Sequence, residues 1–172
     1  MRTAQPVPWF IALVLLAGTI LSGCPGKDDG TPRNPLATPE ETVKAYCDLD
    51  AKGVRLTSTT WAKVLPYISW TEEAGFDRAV VISGFTVQKA RKIGEKAATV
   101  AVEYQVLGTL AGEYVASRRS ETVRFTVAMT DRGWRISSPD FMPPHVSDTA
   151  MVKHLEGTKR LEQADKIRNE AK

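Results

Sequence analysis

Few side chains in this sequence could carry out chemistry, and their spacing does not favour it. The chain has two cysteines, Cys24 and Cys47, and two histidines, His145 and His154. Two histidines nine residues apart and a thiol distant from both do not match the ligand spacing of a zinc site. The sequence also has no glycine-rich phosphate loop and no nucleophile elbow. These residues therefore identify no catalytic group, no metal site and no cofactor, and they leave open whether the protein is an enzyme.

An acid–base enzyme would need an ionisable side chain on the buried face of the fold. Glu103 and Glu121 are expected to point outward or to lie at a strand edge, and Asp77 and Asp140 fall in loops. His145 and His154 are expected after the sheet, in a proline-bounded loop and on the terminal helix respectively. No inward carboxylate is therefore expected.

The elements that would position these residues begin with a helix. Residues 38–41 (TPEE) supply an N-cap, a proline in the first turn and the glutamate of a capping box. The helix should span residues 39–52 and end at Gly53. A second helical stretch is expected near residues 58–68, which Pro66 must end or kink.

After residue 78 the apolar residues alternate with a period of two, which is typical of strands. We predict strands at residues 80–89, 97–107 and 113–129, with inward alternation through Val123, Phe125, Val127 and Met129 on the last. A polar turn then leads into a short strand with Trp134 and Ile136 inward, so the last two strands should form a hairpin.

The links at residues 91–95 and 108–112 are too short for the crossover that parallel strands require, so the sheet is predicted to be antiparallel. Residues 146–172 carry one thin apolar stripe among many charges. They are expected to form a C-terminal helix whose tail frays, with docking to a partner as the alternative. The fold class is therefore α+β, with N-terminal helices packed on a curved antiparallel sheet of four or more strands.

Composition limits the possible partners. The 172 residues are 42% apolar and 25% charged, which suits one globular domain. The net charge is +3, and no stretch has more than two adjacent Lys or Arg, so nucleic-acid binding is not expected. Arg118, Arg119 and Arg124 make a candidate basic strip, which is typical of a charged edge that resists aggregation.

The N-terminal residues explain Cys24. The apolar stretch at residues 9–21 has about thirteen residues, fewer than the roughly twenty that span a bilayer. The following LSGC at residues 21–24 resembles the lipobox of bacterial lipoproteins. This resemblance implies that residues 1–23 are a signal peptide and that Cys24 becomes the lipid-modified first residue, carrying a diacylglycerol thioether and an N-acyl chain such as palmitate. The partner would then be a membrane, reached through the lipid anchor.

Residues 24–37 would connect this anchor to the folded domain. The segment after the cysteine, PGKDDGTPRNPLA, holds three prolines and two glycines and should be a flexible tether with a reach of about 20 Å. Pro25 stands where an Asp would favour inner-membrane retention, so the resemblance favours the outer membrane, facing the periplasm. Lipidation would leave Cys47 without an intrachain partner, either as a small buried hydrophobe on the first helix or as a reactive or intermolecular thiol.

Two helices followed by a curved sheet resemble the nuclear transport factor 2-like superfamily, which has a cone-shaped α+β fold. The segments at residues 38–50 and 122–138 resemble its first helix and closing hairpin, and the likeness covers residues 38–145. It implies a pocket between sheet and helices, which five inward aromatic residues could either line or fill: Tyr46, Trp61, Tyr104, Phe125 and Trp134.

Three functions remain compatible with the sequence. The first is a membrane-anchored, non-catalytic binding or adaptor module of the cell envelope, which would take an envelope protein or a small apolar ligand. The second is an isomerase or dehydratase that uses the cone pocket, as enzymes of the superfamily do. The third is a structural component of the envelope.

Overall fold

The computed structural model describes residues 38–72, 76–140 and 142–172, which all belong to a compact unit spanning residues 32–172. The predicted signal peptide, Cys24 and the predicted tether lie outside the described residues. The described helices are α1 (Pro39–Ala51), α2 (Asp148–Gly157), α3 (Leu161–Glu170) and two 3-10 helices, Val54–Leu56 and Trp61–Tyr67. The strands are β1 (Ala79–Val87), β2 (Arg91–Gly94), β3 (Ala97–Ala111), β4 (Glu113–Thr130), β5 (Gly133–Ser138) and β6 (His145–Ser147).

Helix α1 begins where the capping signal predicts. The Thr38 hydroxyl accepts a hydrogen bond from the Glu41 backbone N–H at 3.1 Å, which satisfies one free donor of the first turn. Gly53, at φ 75°, ends the helical segment. The second predicted helical stretch is the 3-10 helix Trp61–Tyr67, because Pro66 lacks the N–H that a longer α-helix would use there.

The strands form one strongly curled sheet in the order β5–β4–β3–β1–β6, with β2 paired to β3. The predicted α+β class and the β4–β5 hairpin are confirmed. Strands β3 and β4 are 15 and 18 residues long, and their register shifts between Val106 and Gly108. Such irregularities increase the local bend of a sheet, which curls around α1.

Two predictions about the sheet are wrong. Residues 91–94 of one predicted link form β2, which turns back onto β3. Residues 108–111 of the other link extend β3, so that Gly112, at φ 77°, makes the turn into β4. The sheet is predominantly antiparallel, as predicted, and β6 is the exception because it pairs parallel to β1. That strand follows the proline-containing loop, so the argument from short links did not apply to it.

The sheet separates two apolar cores. Its inner face packs against α1 and the 3-10 helices and forms the first core. Its outer face packs in part against α2 and α3 and forms the second core. Successive residues of β1 show the division, since Val80 and Ile82 belong to the first core and Val81 to the second. On β4 the predicted inward residues Phe125 and Val127 are buried, whereas Met129, near the end of the strand, is 39% exposed.

The C-terminal segment differs from the prediction of one helix with a frayed tail. It forms α2 and α3, which are separated at Lys159, a residue with φ 61°. Ala164 and Ile167 of α3 are completely buried in the second core, and the Gln163 side chain accepts a hydrogen bond from the Tyr114 N–H at 2.7 Å. The tail is therefore packed against the sheet, and the predicted boundary at residue 145 falls within β6.

Candidate functional site

The five aromatic residues that were expected either to line or to fill a pocket occupy the first core or pack against it. Tyr46, Tyr104 and Phe125 are buried, with the Tyr46 and Phe125 rings in edge contact at 5.8 Å. Trp61 and Trp134 are half-buried and pack against the same cluster. Four of the five fill the interior between sheet and helices, and Trp61 also borders the cleft described below.

A buried ion pair crosses one end of this core. The Arg55 guanidinium donates from Nη1 to the Tyr46 hydroxyl at 2.8 Å and from Nη2 to the Met142 carbonyl at 2.8 Å. Its Nη1 also lies 3.4 Å from Oδ2 of Asp50, which accepts a hydrogen bond from the His145 backbone N–H at 2.9 Å. Buried charges are costly unless they are paired and hydrogen-bonded. These contacts therefore fix the positions of α1, the 3-10 helix Val54–Leu56 and the start of β6 relative to one another.

The second buried polar contact joins Cys47 to Tyr104, with the Sγ atom 3.1 Å from the phenolic oxygen. Burial raises the pKa of the Cys47 thiol to about 12, despite the opposing effect of the Tyr104 hydrogen bond. Burial also raises the pKa of Tyr104. Both groups are therefore protonated at neutral pH, which favours the prediction of a small buried hydrophobe over that of a reactive thiol for Cys47.

An inward carboxylate does exist, contrary to the prediction. Glu121 of β4 lies directly opposite Tyr104 of β3, so both side chains are on the inner face. Its Oε2 accepts a hydrogen bond from Arg119 at 2.8 Å, and its Oε1 lies 3.8 Å from Nε2 of His145. The Glu121 side chain is 33% exposed, whereas that of His145 is 1% exposed. The carboxylate thus connects a buried imidazole to solvent.

The position of His145 also corrects the prediction that it lies after the sheet. It is the first residue of β6, and its Nδ1 is 3.0 Å from the Pro143 carbonyl. Burial, assisted by the Arg55 charge, lowers the pKa of His145, although Glu121 and the Pro143 carbonyl act in the opposite direction. Its Nε2 faces Glu121 from beyond direct hydrogen-bonding distance and has no hydrogen-bond partner among the described residues.

The sequence held a signal for Glu121 but not for His145. Glu121 is an even number of residues from Phe125 on a continuous strand, so strict alternation places it inward. A three-residue parallel strand such as β6 has no pattern of its own. The remaining carboxylates agree better with their predictions, since Glu103 accepts a hydrogen bond from exposed Ser120 and Asp140 is an exposed loop residue.

A cleft of about 840 Å³ opens at one end of the sheet. It lies between the two 3-10 helices, the chain before β1 and the junction of α2 and α3. We call it the end cleft. Its walls combine aromatic, aliphatic, hydroxyl and charged side chains: Arg55, Leu56, Thr57, Ser58, Trp61, Thr71, Glu72, Phe76, Asp77, Arg78, Ala79, Leu110, Gly112, Pro144, His154 and Arg160.

The end cleft is lined by both apolar and charged side chains. The Arg55 guanidinium lies 4.6 Å from the centre of the Phe76 ring, in a cation–π contact. Arg78 is exposed at the rim, and Arg160 donates from Nη2 to the Gly112 carbonyl. Asp77, which was predicted in a loop, lies at this rim. The arrangement suits a ligand with an apolar body and an ionised group, because the lining offers contacts for both.

Across residues 38–72, 76–140 and 142–172, no group of three His, Cys, Asp or Glu side chains is placed to hold a metal ion. No helix in this described part of the chain has the length and apolar character needed to cross a membrane. No protein-family model, curated protein or solved structure matches the chain.

Proposed function

We propose that the protein is a lipid-anchored binding or adaptor module of the bacterial cell envelope, attached through Cys24 and binding its ligand in the end cleft. The lipobox-like residues 21–24 support the anchor, and the proline- and glycine-rich residues 25–37 support a tether. Pro25 supports an outer-membrane location facing the periplasm.

The end cleft is the observation that carries the binding function. Its volume of about 840 Å³ lies within the range of about 300–1,000 Å³ that is common for small-molecule sites. Trp61 and Phe76 offer apolar surface, and Arg78 offers an exposed positive charge. The ligand that fits this lining is a small amphiphilic molecule with an anionic group.

The anchor is tested by mass spectrometry of the N-terminal peptide of protein purified from bacterial membranes. We expect a peptide that begins at Cys24 and carries a diacylglycerol thioether and an N-acyl chain. Cys24→Ser should be unlipidated and lost from the membrane fraction, whereas Cys47→Ser should remain there. Equal membrane recovery of the two variants would overturn the lipid anchor.

The ligand is tested by native mass spectrometry of the protein secreted into the periplasm of its own host. We expect extra mass that is released on denaturation and that is reduced in Arg78→Glu. The matched control is Arg132→Glu, which reverses the charge at an exposed position in the turn between β4 and β5. A bare mass for the unaltered protein, or equal retention of ligand by both variants, would overturn binding in the end cleft.

Glu121 and His145 favour a second candidate function, an acid–base enzyme of the isomerase or dehydratase type. The observation behind it is the solvent-accessible Glu121 carboxylate on the inner face of the sheet, a group that can accept a proton from an acidic C–H. The test is deuterium exchange at the acidic C–H of a panel of enolisable ketones, followed by NMR. Exchange should disappear in Glu121→Gln and persist in Glu103→Gln, and its absence with the unaltered protein would remove this candidate.

A further inference from the structure

The outer face of the sheet carries a group of positive side chains away from the end cleft. Arg91 of β2 lies opposite Thr99 of β3, and Arg124 of β4 lies opposite Ala101 of β3. Together with Lys89 and Ile93 they surround a shallow depression of about 270 Å³. We call these six residues the basic patch.

The three cations of the basic patch form no ion pair with any residue that the structure describes. Lys89, Arg91 and Arg124 are exposed, and among the described residues no carboxylate oxygen lies within 4.0 Å of their charged groups. The two other arginines of the predicted basic strip differ, since Arg118 pairs with Glu170 and Arg119 pairs with Glu121. The three cationic side chains are therefore not neutralised by direct ion pairs with described residues.

The nearest acidic residue along the same face of β3 is Glu103, two positions beyond Ala101. Its Oε1 accepts a hydrogen bond from Ser120 at 2.8 Å. Glu103 is paired with Thr122 of β4, whereas Ala101 is paired with Arg124. Ile93 stands among the cations with 57% of its side chain exposed. Exposed cations around an exposed aliphatic residue are typical of surfaces that contact anionic lipid at the membrane interface.

The patch also lies beside the start of the folded domain. The backbone N–H of Ala90, between Lys89 and Arg91, donates to Oε1 of Glu40 in the first turn of α1 at 2.8 Å. The chain therefore enters α1 next to the patch. A tether of thirteen residues, with a reach of about 20 Å, would hold this face close to the membrane that carries the anchor.

We propose that the basic patch docks on anionic phospholipid headgroups. Lys89, Arg91 and Arg124 contact the headgroup phosphates, and Ile93 enters the interface between headgroups and acyl chains. The orientation in the cell rests on the proposed anchor at Cys24, whereas the affinity of the patch for anionic lipid does not. Docking would leave the end cleft free to bind its ligand.

The test uses residues 32–172, the compact unit that contains both cores, and follows its cosedimentation with vesicles. Circular dichroism establishes that the protein and its variants are folded. We expect binding to vesicles that mix phosphatidylglycerol with phosphatidylcholine, weak binding to phosphatidylcholine alone, and a loss of binding in high salt. Because this protein lacks Cys24, a failure of the lipid anchor would not affect the result.

Two double variants with the same net charge separate the patch from general attraction. Arg91→Glu with Arg124→Glu should weaken binding to the anionic vesicles by about tenfold or more. Lys63→Glu with Lys153→Glu, on the Trp61–Tyr67 helix and on α2, should leave most of the binding intact. Ile93→Gln, which leaves the net charge unchanged, should also weaken binding to the anionic vesicles at low salt. Equal loss in the two double variants, or equal binding to both vesicle types, would overturn the proposal.

Discussion

The imidazole of His145 lies against the ring of Tyr104, with the ring centroids 4.2 Å apart and the planes inclined by 30°. Tyr104 in turn contacts the thiol of Cys47 on α1. The first residue of β6 is therefore packed against the centre of the sheet and, through it, against the first helix. This packing removes the imidazole from water and ties its protonation to folding.

Stability should decrease as the pH falls below the ordinary pKa of histidine. Burial lowers the pKa of His145 from about 6.5, so the unfolded chain binds a proton that the folded protein does not. The contribution of neutral His145 to the free energy of unfolding is complete above pH 6.5. It is lost progressively as the pH falls toward the lowered pKa of the folded protein. Urea unfolding of residues 32–172 near pH 7.5 and near pH 5 measures this effect. His145→Gln should reduce the pH dependence, and an unchanged dependence in this variant would contradict the assignment.

The carboxylate of Glu121 faces His145 and also affects its pKa. Glu121 raises the pKa of His145, in opposition to burial and to Arg55. Glu121→Gln removes that effect, so the imidazole pKa should fall further and the loss of stability should extend to lower pH. A pH titration of the His145 ring by NMR measures this pKa in the variant and in the unaltered protein. A rise in the pKa on this substitution would contradict the contact.

Removal of the buried guanidinium should be costly. Arg55→Met leaves Asp50 buried without its charged partner and removes the hydrogen bonds to Tyr46 and Met142, so we expect a loss of about 3–5 kcal/mol in the free energy of unfolding. Lys44→Met is the control, because Lys44 pairs with Asp48 on the surface of α1 and should contribute less than about 1 kcal/mol. Denaturant unfolding compares the two, and losses of similar size would show that Arg55 is not a buried anchor.

Local patterns predicted the parts of this fold that depend on neighbouring residues. The capping residues of α1 act within one turn, and the alternation along β3 reflects one strand against one core. The turn between β4 and β5 is equally local. For these elements the sequence pattern and the final packing agree.

The candidate sites depend on distant pairings that no local pattern contains. Glu121 meets His145 because β6 pairs with β1, which is separated from β4 by β3. The burial of Ile167 depends on α3 folding back across the sheet, and the isolated helix shows only a thin apolar stripe. The end cleft likewise combines segments from three parts of the chain. Its charged lining therefore resembled ordinary solvated residues in the sequence.

The α3 helix should be an essential part of the domain. Ile167→Ala removes a completely buried side chain from the second core and should reduce the free energy of unfolding by about 2–5 kcal/mol. Leu161→Ala, in the same helix but 58% exposed, should have an effect smaller than about 1 kcal/mol. Thermal and denaturant unfolding measure both variants. Equal, small effects would instead support the frayed tail expected from the sequence.

Cys47 should be inert in the folded protein. In residues 32–172 it is the only thiol, and at pH 8 a pKa of about 12 leaves roughly one thiolate in ten thousand, before its burial is considered. Iodoacetamide should therefore label the protein only when it opens, with a rate that increases in denaturant. The control is Ser117→Cys combined with Cys47→Ala, which puts the thiol at an exposed position of β4 and should react rapidly without denaturant. Rapid labelling of Cys47 under native conditions would show that α1 separates from Tyr104, and would restore the reactive thiol as the better interpretation.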